Sequence, residues 1–309
     1  MESLQYNVGV VGLGLIGGSM ALDLRRRGFA KHVIGVEKDP VSARAAMTIG
    51  LVDEVTDLED CVRRSDIIVV AVPVGSAVKL VLQVLDSFGE ETSSGVFART
   101  GSRSDTEGEV SSPKDKTVID VCSTKEQICL AAKYHPCRKQ FVSTHPMAGT
   151  EYSGPWAAQP GLFDGRACII ANAEESSPRA LKTIEELYGV LNMRLLYMEA
   201  SQHDVHAAYV SHISHVTSFA LALTVLDKEK DEKHIFDLAS GGFSSTVRLA
   251  KSNPDMWVPI LSQNRDNVLR VMDTYIEKMQ AFRTAVAEYD EERIRELIEE
   301  ANKIKKILR

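Results

Sequence analysis

The chain has 309 residues, 44% of them hydrophobic, which is enough for one large domain or two ordinary ones with a sizeable core. A formal net charge of −7 argues against nucleic-acid binding, which needs a basic footprint, but leaves room for a small anionic substrate met by local Arg and Lys. Five cysteines with no C-x-x-C pair, no signal-like N-terminus and no run of about 18 apolar residues point to a cytoplasmic protein with free thiols and no membrane span.

In the first half, short apolar runs alternate with helical patterns. Residues 7–11 read as a strand, 16–27 as a helix, 32–36 as a strand and 40–49 as a helix. The continuous apolar run 67–72 suits a parallel strand buried on both faces. A helix over 78–88, a strand over 118–121, a helix over 125–133 and strands over 141–144 and 167–170 continue the pattern. Alternation of this kind predicts βαβ units and a Rossmann-like doubly wound sheet. Residues 90–116 break it: they are rich in Ser, Thr, Gly and charge, and are expected to form a surface loop or disordered insertion.

Beyond about residue 177 the pattern is helical, apart from a short strand at 194–198. Residues 179–191 are amphipathic, and 200–226 form a long, mostly apolar run expected to be buried on most sides. Further helices are expected at 233–238, 246–250, 254–279 and 281–307, the charged tail lying outermost in a bundle. The division predicted is a dinucleotide-binding domain over 1–175 and a helical substrate and dimerisation domain over 176–309. A long apolar helix in so small a domain is expected to complete its core in a homodimer.

The stretch Gly12-Leu13-Gly14-Leu15-Ile16-Gly17 follows an apolar strand and opens a helix. Gly12 permits a tight turn, Gly14 lets the backbone approach a pyrophosphate, and Gly17 allows close helix–strand packing. With Leu15 and Ile16 it forms the expected phosphate cradle of a dinucleotide, at a helix N-terminus. Glu37 ends the next strand, where a carboxylate accepts from ribose hydroxyls and disfavours a 2′-phosphate, so NAD is expected over NADP. Pro73 closes the 67–72 strand and is expected to touch the cofactor through backbone.

His145 lies in Ser143-Thr144-His145-Pro146-Met147-Ala148-Gly149-Thr150-Glu151, between a β-like run and a Pro/Gly turn. It is a poor core element and a good place for a proton acceptor. Four more histidines, His203, His206, His212 and His215, crowd one segment. At about 100° per residue His203 and His212 stand on opposite sides of a helix, as do His206 and His215, so no metal site is expected. Arg248 follows the glycine-rich 241–247 and suits a carboxylate clamp, because a guanidinium binds a carboxylate bidentately.

Together these residues resemble the prephenate/arogenate dehydrogenase family of tyrosine biosynthesis. The likeness runs in order through Gly12–Gly17, Asp120-Val121-Cys122-Ser123-Thr124-Lys125, 145–154, 203–215 and 241–257. It implies a Rossmann domain, a helical dimerisation domain and an active site between them. His145 matches the family's catalytic histidine, and Ser123 a serine that shares the substrate hydroxyl. Arg248 matches the arginine on the ring carboxylate, and His215 a histidine near the pyruvyl side chain. Trp257 matches a tryptophan reaching in from the dimer partner, Glu151 a carboxylate behind the site, and Gly241 a glycine lining the pocket. The implied reaction is NAD-dependent oxidative decarboxylation of prephenate.

Cys122 stands where the family usually has Gly, Ser244 where some members carry Lys, and the 90–116 insertion is atypical. Neither a preceding chorismate mutase nor a following ACT domain is expected, so tyrosine feedback is expected at the active site or not at all. Arogenate is the alternative substrate. A β-hydroxyacid dehydrogenase is disfavoured because residues 200–226 contain no Lys to serve as its acid/base. A non-catalytic NAD sensor would keep Gly12–Gly17 but has no need of Ser123, His145 and Arg248 together.

Overall fold

The computed structural model describes residues 6–94, 116–230 and 235–307. Eight strands form one sheet: β1 (Tyr6–Val11), β2 (Ala30–Val36), β3 (Glu54–Val55), β4 (Ile67–Val70), β5 (Thr117–Asp120), β6 (Phe141–Pro146), β7 (Ala167–Ala171) and β8 (Arg194–Met198). Their order is β3-β2-β1-β4-β5-β6-β7-β8. The first six are parallel, in the order of a doubly wound dinucleotide fold. Helices α1 (Leu15–Arg26), α2 (Pro40–Thr48), α3 (Leu58–Arg64), α4 (Val74–Ser94), α5 (Glu126–Ala132) and α6 (Pro178–Val190) cover the two faces.

The central strands are apolar throughout because helices cover both sides: Val8, Val10, Ile68, Val69, Val70, Val118 and Ile119 are all fully buried. Removing one such side chain, as in Ile68→Ala, costs about 2–5 kcal/mol. Helix starts follow one local device. Asp39, Ser177 and Asn253 each accept backbone N–H groups as N-caps, and each is followed by proline, whose fixed φ and missing N–H suit the first helical position.

Several sequence expectations are corrected. β7 runs antiparallel to β6 and parallel to β8, because no helix carries the chain back between β6 and β7. The ladder to β8 keeps α6 and β8 in the sheet layer, so the helical part begins at Ala200 and not at residue 176. α4 continues to Ser94, and the expected insertion over 90–116 otherwise lies outside the described residues, apart from Lys116. The helix expected over 233–238 begins outside them as well.

The helical part comprises α7 (Ala200–Ala207), a π turn (Ala208–His212), α8 (Ile213–Glu229), α9 (Gly241–Thr246), α10 (Pro254–Gln263), α11 (Arg265–Ala287) and α12 (Glu291–Asn302). The expected 254–279 helix divides at Asn264, and α11 ends at Ala287, two residues before Tyr289, whose φ of 57° is left-handed. The 200–229 run is long and apolar enough to cross a membrane by length and composition alone. It is not buried on most sides of its own chain: Ser218 is the sole buried residue of α8, and Tyr209, Val210, Leu223 and Leu226 are exposed. α10 packs on α4, and Gln263 ties the two halves together. Its Nε2 donates to the Val74 carbonyl at 3.0 Å, and its Oε1 accepts from Thr124 Oγ1 at 2.8 Å.

Candidate active site

A cleft of about 550 Å³ opens at the carboxyl ends of β1, β4, β5 and β6, against the π turn, α8 and α10. Ligands of open α/β sheets bind at this edge, where the strand order reverses between β1 and β4. Gly14, Leu15, Ile16 and Pro73 line it, as do Ser123, His145 and Glu151 and, from the helical part, His215, Arg248 and Trp257.

The glycines of the first turn do different work. Gly12 has a φ of 94°, and a Cβ there would stand 2.5 Å from the Ala71 carbonyl oxygen. At Gly17 a Cβ would meet the Gly12 oxygen at 2.0 Å, so only glycine lets α1 approach β1. A Cβ on Gly14 meets nothing within 4 Å, and no side chain caps α1 there. The helix N-terminus therefore offers amide donors to open space, which fits a dinucleotide pyrophosphate. Glu37 accepts from Leu13 N at 3.1 Å and from Asp39 N at 3.0 Å, fixing the loop while its carboxylate retains lone pairs for ribose hydroxyls. These residues fit NAD.

Below the cleft is a charge pair that sequence reasoning did not single out. Asp120 and Lys125 are both fully buried and bonded to each other. Asp120 also accepts from Cys122 N at 3.0 Å, Ser143 Oγ at 2.9 Å and Thr144 N at 3.3 Å, while Lys125 Nζ donates to the Thr144 carbonyl at 2.6 Å. The pair thus staples the end of β5 to the end of β6 and aims the turns carrying Ser123 and His145. Burial alone would lower the Lys125 pKa, but the Asp120 carboxylate outweighs it and the net shift is upward. Burial, then Asp120, push the Cys122 thiol well above its ordinary range, so it lines the cleft as a neutral thiol.

His145 ends β6 and faces the cleft. Its Nδ1 lies 2.8 Å from His203 Nε2, and His203 Nδ1 lies 2.8 Å from Asp204 Oδ1. Burial, followed by the neighbouring His203, Lys125 and His212, holds the His145 pKa well below its ordinary value, so the ring is a neutral imidazole. His212 is held at about 4, chiefly by burial. The histidines at 203 and 212 are not opposed as straight-helix geometry implied. The π turn adds a residue between them, setting the following helix back by about 100° and bringing both toward one side. His206 is exposed and outside the cleft.

Arg248 Nη1 lies 3.4 Å from Glu151 Oε2, with about half of the Arg248 side chain in solvent. Trp257 is buried in the cleft of its own chain, stacked on His215, where the family resemblance had implied arrival from a partner. Gly241 is not among the lining residues and has open space around it. Arg166 lines the cleft as a second cation, at the start of β7, where nothing in the sequence marked it. The parts played by Asp120, Lys125 and Asp204 were missed because buried charge has no periodicity to betray it.

Two family models match the chain. One, described as the nucleotide-binding domain of prephenate dehydrogenase, covers residues 20–92 and 108–197; the other, its dimerization domain, covers 199–300. A prephenate dehydrogenase of Bacillus subtilis is 29% identical over 95% of this chain and 74% of its own length. The crystal structure of Aquifex aeolicus prephenate dehydrogenase with hydroxyphenyl propionate and NAD+ superposes with a TM-score of 0.80 at 28% identity, over 99% of both chains. Synechocystis arogenate dehydrogenase gives a TM-score of 0.73 at 25% identity, over 97% of this chain and 99% of its own.

Proposed function

The chain belongs to the prephenate dehydrogenase family, and from that premise we propose that it uses NAD+ to convert prephenate to 4-hydroxyphenylpyruvate and CO2 for tyrosine biosynthesis, with His145 as the base. It is an NAD-dependent oxidoreductase. When bound along Gly12–Gly17 and Glu37, NAD+ supplies the acceptor for the hydride leaving the substrate ring. Everything else falls to the chain's own groups.

The single observation that carries this reading is His145, neutral at the end of β6 and lining the same cleft as the cofactor cradle and Arg248. The ring hydroxyl must lose its proton as the ring carbon is oxidised, and a neutral imidazole suits that task. Ser123 orients the same hydroxyl from the β5 turn. Arg248 holds the ring carboxylate, with His215, stacked on Trp257, beside the pyruvyl side chain. Aromatisation drives the loss of CO2, so positioning beside the nicotinamide is the main demand on the protein.

The active molecule is proposed to be a cytoplasmic homodimer. Its supports are the match to a dimerization domain over 199–300 and the apolar face of exposed Leu223 and Leu226 on α8 and Ile276 and Met279 on α11. The five free cysteines fit a reducing compartment.

Absorbance at 340 nm, with NAD+ and prephenate, arogenate or 3-hydroxyacids in turn, tests the activity. Prephenate is expected to give the highest kcat/KM; preference for arogenate or a 3-hydroxyacid overturns the substrate assigned. His145→Asn is expected to keep NAD+ binding and lose roughly 10²–10⁴ in kcat. An active Asn variant removes His145 from the mechanism.

A further inference from the structure

We propose that His203 and Asp204 are a positioning pair that fixes which nitrogen of His145 carries its proton, leaving Nε2 as the base atom. The proposal rests on reading His145 as the base and adds the two residues through which it is set. Both are buried, at 3% and 2% exposure, and neither is among the residues lining the cleft, so they act through His145 and not on substrate.

The proton order follows from the donors around Asp204. Its Oδ1 accepts Lys125 N at 2.7 Å and its Oδ2 accepts Glu126 N at 3.0 Å. Both oxygens are thus engaged by backbone donors that cannot reverse, and the carboxylate acts purely as an acceptor. His203 Nδ1, 2.8 Å from Oδ1, must then carry the hydrogen and donate it. With its hydrogen on Nδ1, the His203 ring presents a lone pair at Nε2. His145 Nδ1, 2.8 Å from that lone pair, must donate, and the lone pair of His145 is left on Nε2.

The same chain answers an energetic problem. The half-buried ring of His145 is surrounded by His203, Lys125 and His212, an environment hostile to a positive imidazolium. When the substrate hydroxyl gives its proton to Nε2, the bond from His145 Nδ1 to His203 becomes charge-assisted, and His203 passes the polarisation to the Asp204 carboxylate. The pair is held rigidly. Asn264 Nδ2 donates to the Asp204 carbonyl at 2.7 Å and lies 3.1 Å from His212 Nδ1, fixing α7 against the α10–α11 junction.

Asp204→Asn tests this with almost no change of shape. An amide that turns its nitrogen toward His203 gives up the Lys125 N bond, donates to Nδ1, reverses the chain and puts the hydrogen on His145 Nε2. The expected result is a fall in kcat of about 10²–10⁴, as for comparable tautomer reversals, with substrate KM within threefold. Asp204→Asn combined with His145→Asn is expected to be no slower than His145→Asn alone, because both act through one atom. ¹⁵N spectra of the wild-type protein, with the His145 resonances identified by their loss in His145→Asn, are expected to show Nδ1 protonated and Nε2 bare. Wild-type spectra with Nε2 protonated overturn the proposal whether or not the Asp204→Asn variant folds. So does a folded Asp204→Asn variant whose ¹⁵N spectra show His145 Nε2 protonated while kcat stays within threefold of wild type, provided His145→Asn is inactive. An active His145→Asn instead removes the reading of His145 on which the pair depends.

Discussion

The imidazole of His215 lies against the indole of Trp257, ring centroids 3.6 Å apart and planes 28° apart, which joins α8 to α10 in the wall of the cleft. His212 meets the same indole edge-on at 5.8 Å. The indole N–H is buried without a hydrogen-bond partner. The ring is therefore held by stacking and packing, while its polar handle is a liability. Trp257→Phe, which removes the N–H and keeps a ring, is expected to stay within about 1 kcal/mol of wild type in urea unfolding, whereas Trp257→Ala costs about 3–5 kcal/mol. Equal losses in the two variants would mean that the N–H has an unrecognised partner.

The nucleotide turn makes a sharper distinction. Gly17→Ala drives a Cβ into the Gly12 carbonyl, and backbone has little room to yield, so a loss of stability of about 1–3 kcal/mol or more is expected. Gly14→Ala meets no protein atom and should melt like wild type, yet its methyl occupies the space over the α1 N-terminus. NAD+ affinity in that variant is expected to fall at least about tenfold. Fluorescence titration with NAD+ beside thermal melts separates the two; unweakened binding by Gly14→Ala would move the pyrophosphate elsewhere.

The legibility of these features in the sequence depended on periodicity. β1, β2, β4, β5 and β6 announce themselves as apolar runs after helical stretches, and Gly12–Gly17 fixes where the cofactor cleft lies. The reversal at β7 was hidden because a five-residue strand reads the same in either direction. The π turn was hidden because nothing in Ala208-Tyr209-Val210-Ser211-His212 distinguishes it from ordinary helix, and the whole metal argument inherited the wrong phase. Asn264 splits α10 from α11 without a Pro or Gly to mark the place. The exposure of α8 was invisible for a different reason: apolar composition records that a face is covered, not which chain covers it. His145, Ser123 and Arg248 were found as separate points, but the Asp120–Lys125 staple beneath them depends on two charges meeting in a core.

Arg248 is expected to govern affinity more than turnover. Its contact with Glu151 is long and half in solvent, so Arg248→Ala should change stability by less than about 1 kcal/mol. Holding a carboxylate that is about to leave stabilises the ground state as much as the transition state. Steady-state kinetics are expected to give a KM raised roughly 10–100-fold with kcat reduced less than about threefold. Equal falls in kcat and kcat/KM would assign Arg248 to the chemical step.

The buried Lys125–Asp120 pair is expected to be costly to break on one side. Lys125→Met strands a carboxylate in the core and takes a donor from the Thr144 carbonyl, a loss of about 3–5 kcal/mol by urea unfolding. The Lys125 pKa is raised above 10.5, so its contribution is complete below that pH and is lost as pH rises through the folded value. Wild type should therefore show a steeper alkaline fall in stability above pH 10.5 than Lys125→Met. Identical slopes would show that the pair is not ionised in the fold.

Acid should act in the opposite sense through the histidines. Burial holds His212 at about 4 against an ordinary 6.5, and His145 and His215 are lowered for the same first reason. His212 is also faced by Asp204, which raises its pKa, and by His203 and His215, which lower it. A base with a depressed folded pKa takes up protons more readily when unfolded, so its stabilising contribution is complete above 6.5 and drains away as pH falls toward 4. Melting midpoints are expected to hold between pH 8 and about 6.5 and then to decline. His212→Asn, which keeps an acceptor for Asn264 Nδ2, should flatten that decline. The acid limb of kcat/KM is expected below 6.5 as well, because His145 remains a free base there. An acid limb centred at or above 6.5 in the free enzyme would contradict the neutral imidazole on which catalysis is built.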